Sequence, residues 1–287
     1  MTVPPGSGPT VRRILLGSHL RRLRESKNIT REDAGYHIRA SESKISRLEL
    51  GKVGFKERDV RDLLTLYGVT DETERSSLLT LAREANQQGW WHSHSDVLPN
   101  WFQPYIGLEE SASQIRTYEL QFIPGLLQTE DYARAVISKG ARGASKEVID
   151  GRVAVRMNRQ KLLTRQDPPR LWVVLDEAAL RRPIGSSKIM HAQIARLLEL
   201  IDEPFLTLQV MPFAFGGHTA EGGAFSLLRF PDPEMADLVY VEQLFGAAYL
   251  DKREDVDRYT IAMERLCFDS STPDRTADVL HQIDQSL

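Results

Sequence analysis

The sequence predicts two domains of different class, an all-α five-helix domain followed by a mixed α+β domain. Three observations lead there. Up to about residue 86, apolar residues recur at helical spacing between capping signals. Beyond residue 101, helical stretches alternate with short β-branched runs, and three of these runs follow one another with no helix between. Charge is uneven along the chain: residues 1–69 hold 14 Lys and Arg against 8 Asp and Glu, an excess of +6, whereas the remainder carries −9 and the whole chain −3. A length of 287 residues accommodates the two domains. The expected division is a disordered tail over 1–10, a helical domain over 11–86, a linker over 87–100 and an α+β domain over 101–287.

The tail is rich in Pro, Gly, Ser and Thr and has no apolar stretch of signal-peptide type. Leu16, Leu20 and Leu23 then mark an amphipathic helix over Arg13–Lys27. Thr30, followed by Arg31, Glu32 and Asp33, opens a short second helix that runs to His37. Ser41 caps a third, Glu42–Leu50, and Gly51 closes it. Two short capped helices about four residues apart form a helix-turn-helix layout. Val53–Val69 supplies a fourth helix, and Thr70 caps a fifth whose inward stripe includes Leu78, Leu81 and Ala82.

At 100° per residue, Ile45 and Leu48 of the third helix share one face and pack inward. The opposite face carries Ser43, Ser46 and Arg47, with Glu42 and Lys44 at its flanks. Short polar side chains let a helix approach base edges, where an arginine donates two hydrogen bonds to guanine and a serine bonds several bases. Thr30, Arg31 and Ser41, at helix starts, suit phosphate. For Lys52 and Arg39, a phosphate contact and a merely solvated role both stay open. The expected DNA-contacting set is therefore Thr30, Arg31, Ser41, Glu42, Ser43, Lys44, Ser46, Arg47 and Lys52. A plain three-helix packing unit would give no reason for so short-chained and basic an outward face.

The segments Ile29–Ala34 and Ser41–Gly51 resemble the lambda-repressor/Xre helix-turn-helix family. The resemblance implies that the third helix is the recognition helix and that Glu49 is structural, paired with an arginine of the first helix such as Arg21 or Arg24. Arg31 and Glu42 stand where the family often has Gln, and Arg39 where it usually has the turn Gly, so its base preferences do not carry over.

The second half reads as a strand over Ile115–Gln121, a helix from Thr129 to Ser138, a long helix over Ser145–Arg165 and a strand over Leu171–Leu175. A helix over Ser186–Ile201 follows, then strands over Phe205–Met211, Ala224–Phe230, Leu238–Gln243 and Ala247–Leu250. Helices over Arg253–Phe268 and Pro273–Gln285 end the chain. This favours α+β over a doubly wound parallel sheet.

Trp90, Trp91, Trp101 and Phe102 cluster around the linker, as a hydrophobic hinge or, less economically, a base-stacking platform. His92 and His94 have no evident third partner, so no metal site is expected. Arg152, Arg156 and Arg159 share a helix face, read either as a patch for an acidic partner or phosphate, or as a solvated face or an internal network with Glu177. Glu177, Arg181 and His218 lie near strand ends, where pockets form. No nucleophile elbow, zinc-protease motif or phosphate loop is present, so neither catalytic residues nor a cofactor is expected. The single Cys267 excludes an internal disulfide and, with no apolar run of membrane-spanning length, suggests a reduced cytoplasmic setting on the nucleoid.

Gly89–Trp91, Ile123–Ala133, Arg159–Gln160 and Asp176–Pro183, together with Val241–Gln243 and Tyr249–Asp251, are similar to the C-terminal domain of actinobacterial antitoxin-like regulators, the WhiJ-like group. The resemblance implies a transcriptional regulator acting with a small cognate protein, often encoded nearby. The expected partners are double-stranded DNA, a second copy of the chain, and that small protein or an effector. A C-terminal small-molecule sensor or a DNA-tethered enzyme is the alternative.

Overall fold

The computed structural model describes residues 8–220, 222–233 and 235–287. The described residues fall into two compact units: one formed by those within 1–92, 106–111 and 231–235, the other by those within 93–105, 112–230 and 236–287.

The first unit is helical. Its first five helices are α1 (Pro9–Ser26), α2 (Arg31–His37), α3 (Glu42–Glu49), α4 (Glu57–Leu66) and α5 (Glu72–Ala85). Of the expected tail, residues 1–7 lie outside the described residues, while Pro9 and Thr10 belong to α1. Pro9 occupies the first turn, where its missing N–H costs nothing, and the Gly8 N–H donates to Ser111 Oγ at 2.9 Å. Thr30 and Ser41 cap α2 and α3 as expected, accepting from the Asp33 and Lys44 amides. The cap of α5 is Asp71, one residue beyond the expected Thr70. The fourth helix begins only at Glu57, because residues 50–56 form a turn around Gly51 at φ +64° and a reciprocal pair of hydrogen bonds joins Asn86 to Phe55. Leu16, Leu20, Ile45, Leu48, Phe55, Leu63, Leu64 and Tyr67 form one core.

The expected linker holds a 3-10 turn over Trp90–His94, with Trp91 buried. Helix α6 (Gln103–Ser111) follows, unforeseen in sequence. The aromatic cluster divides: Trp91 packs against Trp90 and His92 in one unit, and Trp101 against Phe102 in the other.

The second unit is built on a six-stranded sheet, β1 (Gln114–Glu119), β2 (Arg170–Asp176), β3 (Leu206–Met211), β4 (Phe225–Arg229), β5 (Leu238–Gln243) and β6 (Gly246–Leu250). Its order is β3-β2-β1-β4-β5-β6. The β1, β2 and β3 strands are parallel, and the remaining neighbours antiparallel. The sheet is thus mixed, as the succession of strands without helices requires. Crossovers run through α7 (Glu130–Gly140) and α8 (Lys146–Arg159), then α9 (Glu177–Arg181) and α10 (Ser187–Leu200). Two further helices, α11 (Arg253–Asp269) and α12 (Thr276–Gln285), end the chain. On one sheet face Tyr118, Val174, Met211, Phe225 and Val239 pack with Met263 and Leu266 of α11. The alternate residues Ile115, Val173, Leu175, Leu208, Val210 and Leu228 are buried on the other face.

Candidate nucleic-acid interface

The helix-turn-helix is placed by close backbone approach. A Cβ at Gly17 of α1 would lie 2.5 Å from the Leu48 carbonyl and 2.7 Å from that of Glu49, so only glycine lets α1 touch the end of α3. Between α2 and α3 the chain turns through Arg39 at φ +53°, where an arginine costs about 1–2 kcal/mol relative to a residue without a Cβ. Backbone bonds from the Arg39 amide to Tyr36 and from the Ala40 amide to Gly35 hold the turn.

Beneath the turn lies a buried ionic network. Glu49, with its side chain 3% exposed, accepts from Arg24 Nε at 2.5 Å and from Arg31 Nε at 3.1 Å. Arg24 also donates to the Ile29 carbonyl. The carboxylate therefore ties α3 to α1 and to the start of α2, a bond the resemblance anticipated for Arg24; Arg21 instead pairs with Glu25 on its own helix. The Arg24 guanidinium is held above its ordinary pKa by its hydrogen bond to Glu49. Lys44 reaches the buried Asp59 of α4 at 2.5 Å.

The outward face of α3 is open. Glu42, Ser43 and Arg47 are exposed and Ser46 half-buried, while Ile45 and Leu48 are buried beneath them. Thr30, Ser41 and Lys52 are exposed as well. Of the nine expected contacts, Glu42, Ser43 and Arg47 thus share a free face, with the half-buried Ser46 beside them. Arg31 and Lys44 carry ion pairs that fix the helices, so their first role is positional. Sequence reasoning passed over Tyr36, which is 88% exposed on α2, and the exposed Lys56 and Arg58 that flank the start of α4. The 100° rule that picked Ser43 also points Tyr36 away from the inward Ala34 and Ile38.

In the second unit the expected arginine patch is an internal network rather than a free face. Arg152 donates to the Val97 carbonyl and Arg156 to Gln128 Oε1, and Arg159 is buried with its guanidinium over the Phe102 and Tyr105 rings at 5.0 and 5.6 Å. Glu177 does not join it. Its carboxylate accepts from Arg181 and from the Phe213 amide, and Arg181 also reaches Ser286 Oγ. His218 meets two groups unnoticed in sequence: its Nε2 lies 2.9 Å from Tyr118 Oη, which donates to Asp176. The His218 Nδ1 accepts from the Ala220 amide, so this ring is a satisfied strut between a loop and two strand ends. Among the described residues no three His, Cys, Asp or Glu side chains converge as a metal site, and no helix is long and apolar enough to cross a membrane.

Residues 102–282, more than half of the chain, match the family model described as Domain of unknown function (DUF5753). The chain belongs to this family. Ahead of the DUF5753 region, residues 15–78 match the model of a helix-turn-helix domain, spanning α1 to the middle of α5 and so containing the whole exposed face just described. No curated protein and no solved structure matches the chain. The chain is thus a helix-turn-helix protein, with a DNA-binding module in front of the DUF5753 domain.

Proposed function

We propose that the protein is a sequence-specific transcriptional regulator of the lambda-repressor/Xre type, acting in the cytoplasm on the nucleoid as a homodimer. The single observation that carries the reading is the outward face of α3, where Ser43 and Arg47 stand exposed beside the half-buried Ser46 on a helix anchored from below. One short helix reads few bases, so two copies on half-sites one helical turn apart, or a multiple of it, supply the specificity. The DUF5753 domain, in the antitoxin-like reading, receives a small cognate protein or effector that alters DNA affinity, and performs no catalysis.

The test is genome-wide binding followed by footprinting at the mapped sites. Arg47→Ala is expected to weaken binding by about 1–3 kcal/mol and to relax the preference at one base pair of each half-site. Lys52→Ala should weaken all sequences alike and flatten the salt dependence. An Arg47→Ala protein with unaltered affinity and footprint would remove Arg47 from the reading set.

A further inference from the structure

The sheet of the second unit has two edges, and they are finished differently. At β3 the Ser271 amide donates to the Val210 carbonyl at 2.9 Å and Thr276 Oγ1 to the Leu208 carbonyl at 2.5 Å, so the segment leading into α12 closes that edge. At β6 the two-residue turn Leu244–Phe245 makes Gln243 and Gly246 a bonded pair. Bonding alternates from there: Gly246, Ala248 and Leu250 bond to β5, while Ala247 and Tyr249 turn amide and carbonyl away from the sheet. Among the described residues nothing bonds these outward groups. The strand reads Gly-Ala-Ala-Tyr-Leu and is partly exposed at every position, with no lysine, proline or bulge to blunt the edge.

An open edge strand is completed by another strand. We infer that β6 pairs with β6 of a second copy, antiparallel about a two-fold axis at Ala248, joining the two sheets into one. The strand itself selects this occupant and register. With β3 closed and the inner strands paired, only another β6 offers an open edge among the strands of this chain. Of the two-fold registers that bring outward groups to outward groups, the one centred on Ala248 alone uses both residues, each Ala247 exchanging both bonds with Tyr249 of the second copy. In that register every large side chain meets a small one: Leu250 lies opposite Gly246, Tyr249 opposite Ala247, and Ala248 opposite its own counterpart. Centring on Ala247 would set Tyr249 against Phe245, and centring on Tyr249 would set the two tyrosines against each other. No charged residue lies within β6, so no like charges oppose across the pairing. Leu244 and Phe245, 86% and 92% exposed, stand at the end of this same edge, beside the point where the second copy's chain leaves its own β6. The inference names the contact surface of the dimer proposed above and rests on that reading. A standard interface needs about 800 Å² from each partner, and so short a strand supplies only part of that, so the dimer is expected to dissociate on dilution.

Sedimentation of the full chain across the micromolar range tests this. A monomer–dimer equilibrium is expected. Ala247→Pro removes an outward donor and no bond to β5, and should weaken the dimer at least tenfold with far-ultraviolet circular dichroism unchanged. Ala248→Lys and Ala248→Glu should each be monomeric, because each sets like charges face to face, and mixing the two proteins should restore a dimer with one copy of each. In a Cys267→Ser background, Ala248→Cys should cross-link under mild oxidation, since position 248 and its counterpart form a non-hydrogen-bonded pair with Cα atoms about 4.5 Å apart, within disulfide range. A monomer at every concentration overturns the inference. So does a dimer indifferent to Ala248→Lys, or one that forms no disulfide at 248. The outcomes separate from those for DNA: a monomer that still protects its sites loses this interface and keeps the reading helix, whereas a dimer without any footprint does the reverse.

Discussion

At the scale of single residues, the helix-turn-helix divides into side chains proposed to read DNA and side chains that hold the fold. Arg47 and Ser43 have nothing beneath them to stabilise, so replacing them should change binding and leave folding alone. Glu49 is the opposite case. Its removal leaves Arg24, 8% exposed at the side chain, charged and without its main partner. Breaking a buried pair from one side costs about 3–5 kcal/mol, so Glu49→Ala is expected to unfold the first unit well below the wild-type midpoint in urea. Lys44→Ala should cost less, about 1–3 kcal/mol, because Arg58 remains within 3.7 Å of Asp59. If Lys44→Ala weakened DNA binding with no loss of stability, its side chain would belong to the reading group instead. The outward position of Ser43 and Arg47 was legible from spacing alone. That Arg31 and Lys44 are spoken for was not, because Glu49 and Asp59 lie 18 and 15 positions further on and only the fold brings them near.

At the scale of elements, what could be read were local decisions. The Thr30 and Ser41 caps and the alternating strands follow from neighbours in sequence, and they appear within a few residues of their expected places. What escaped depends on distant groups. The helix expected to run to Arg165 leaves α-geometry after Arg159, where Gln160 turns to donate to the Gly125 and Gln128 carbonyls. The short α9 exists because Asp176, at the end of β2, caps it by accepting from the Ala178 amide. The approach of α1 to α3 is equally non-local, and it yields a sharp expectation. Gly17→Ala should destabilise the first unit by about 1–3 kcal/mol, because the carbonyls of Leu48 and Glu49 are backbone and have nowhere to retreat. Gly140, at the end of α7, has open space around its Cβ position, and Gly140→Ala should stabilise by about 0.4–1 kcal/mol. Arg39→Gly should relieve the left-handed turn by up to about 1 kcal/mol net of the freedom glycine gains when unfolded. Thermal midpoints for the three variants decide these, and equal effects for Gly17→Ala and Gly140→Ala would show that close packing of α1 on α3 is not what places the turn.

At the scale of the whole molecule, the acidic surplus of the second part has a titratable consequence. Glu119 ends β1 and Glu242 nears the end of β5, and both strands finish at the same edge of the sheet. Burial pushes the Glu119 carboxyl up to about 8, and repulsion from Glu242 adds to this against the pull of Arg156. Glu242 in turn accepts from Tyr240, whose hydroxyl burial drives far above the ordinary tyrosine range. Between about pH 4.5, where an unfolded glutamate titrates, and about pH 8, the folded chain therefore holds a proton that the unfolded chain has released. Stability conferred by the protonated form is present below that window and drains away as pH rises through it. The full shift would correspond to at most about 5 kcal/mol, and the residue's partial exposure reduces the expectation to about 1–3 kcal/mol at pH 8. Glu119→Gln keeps the neutral shape at every pH, so the variant should match the wild type near pH 4.5, exceed it by that amount at pH 8, and lose the downward slope between. Urea midpoints at pH 5, 6.5 and 8 measure it, and parallel curves for the two proteins would place the Glu119 carboxyl in water rather than in the sheet edge.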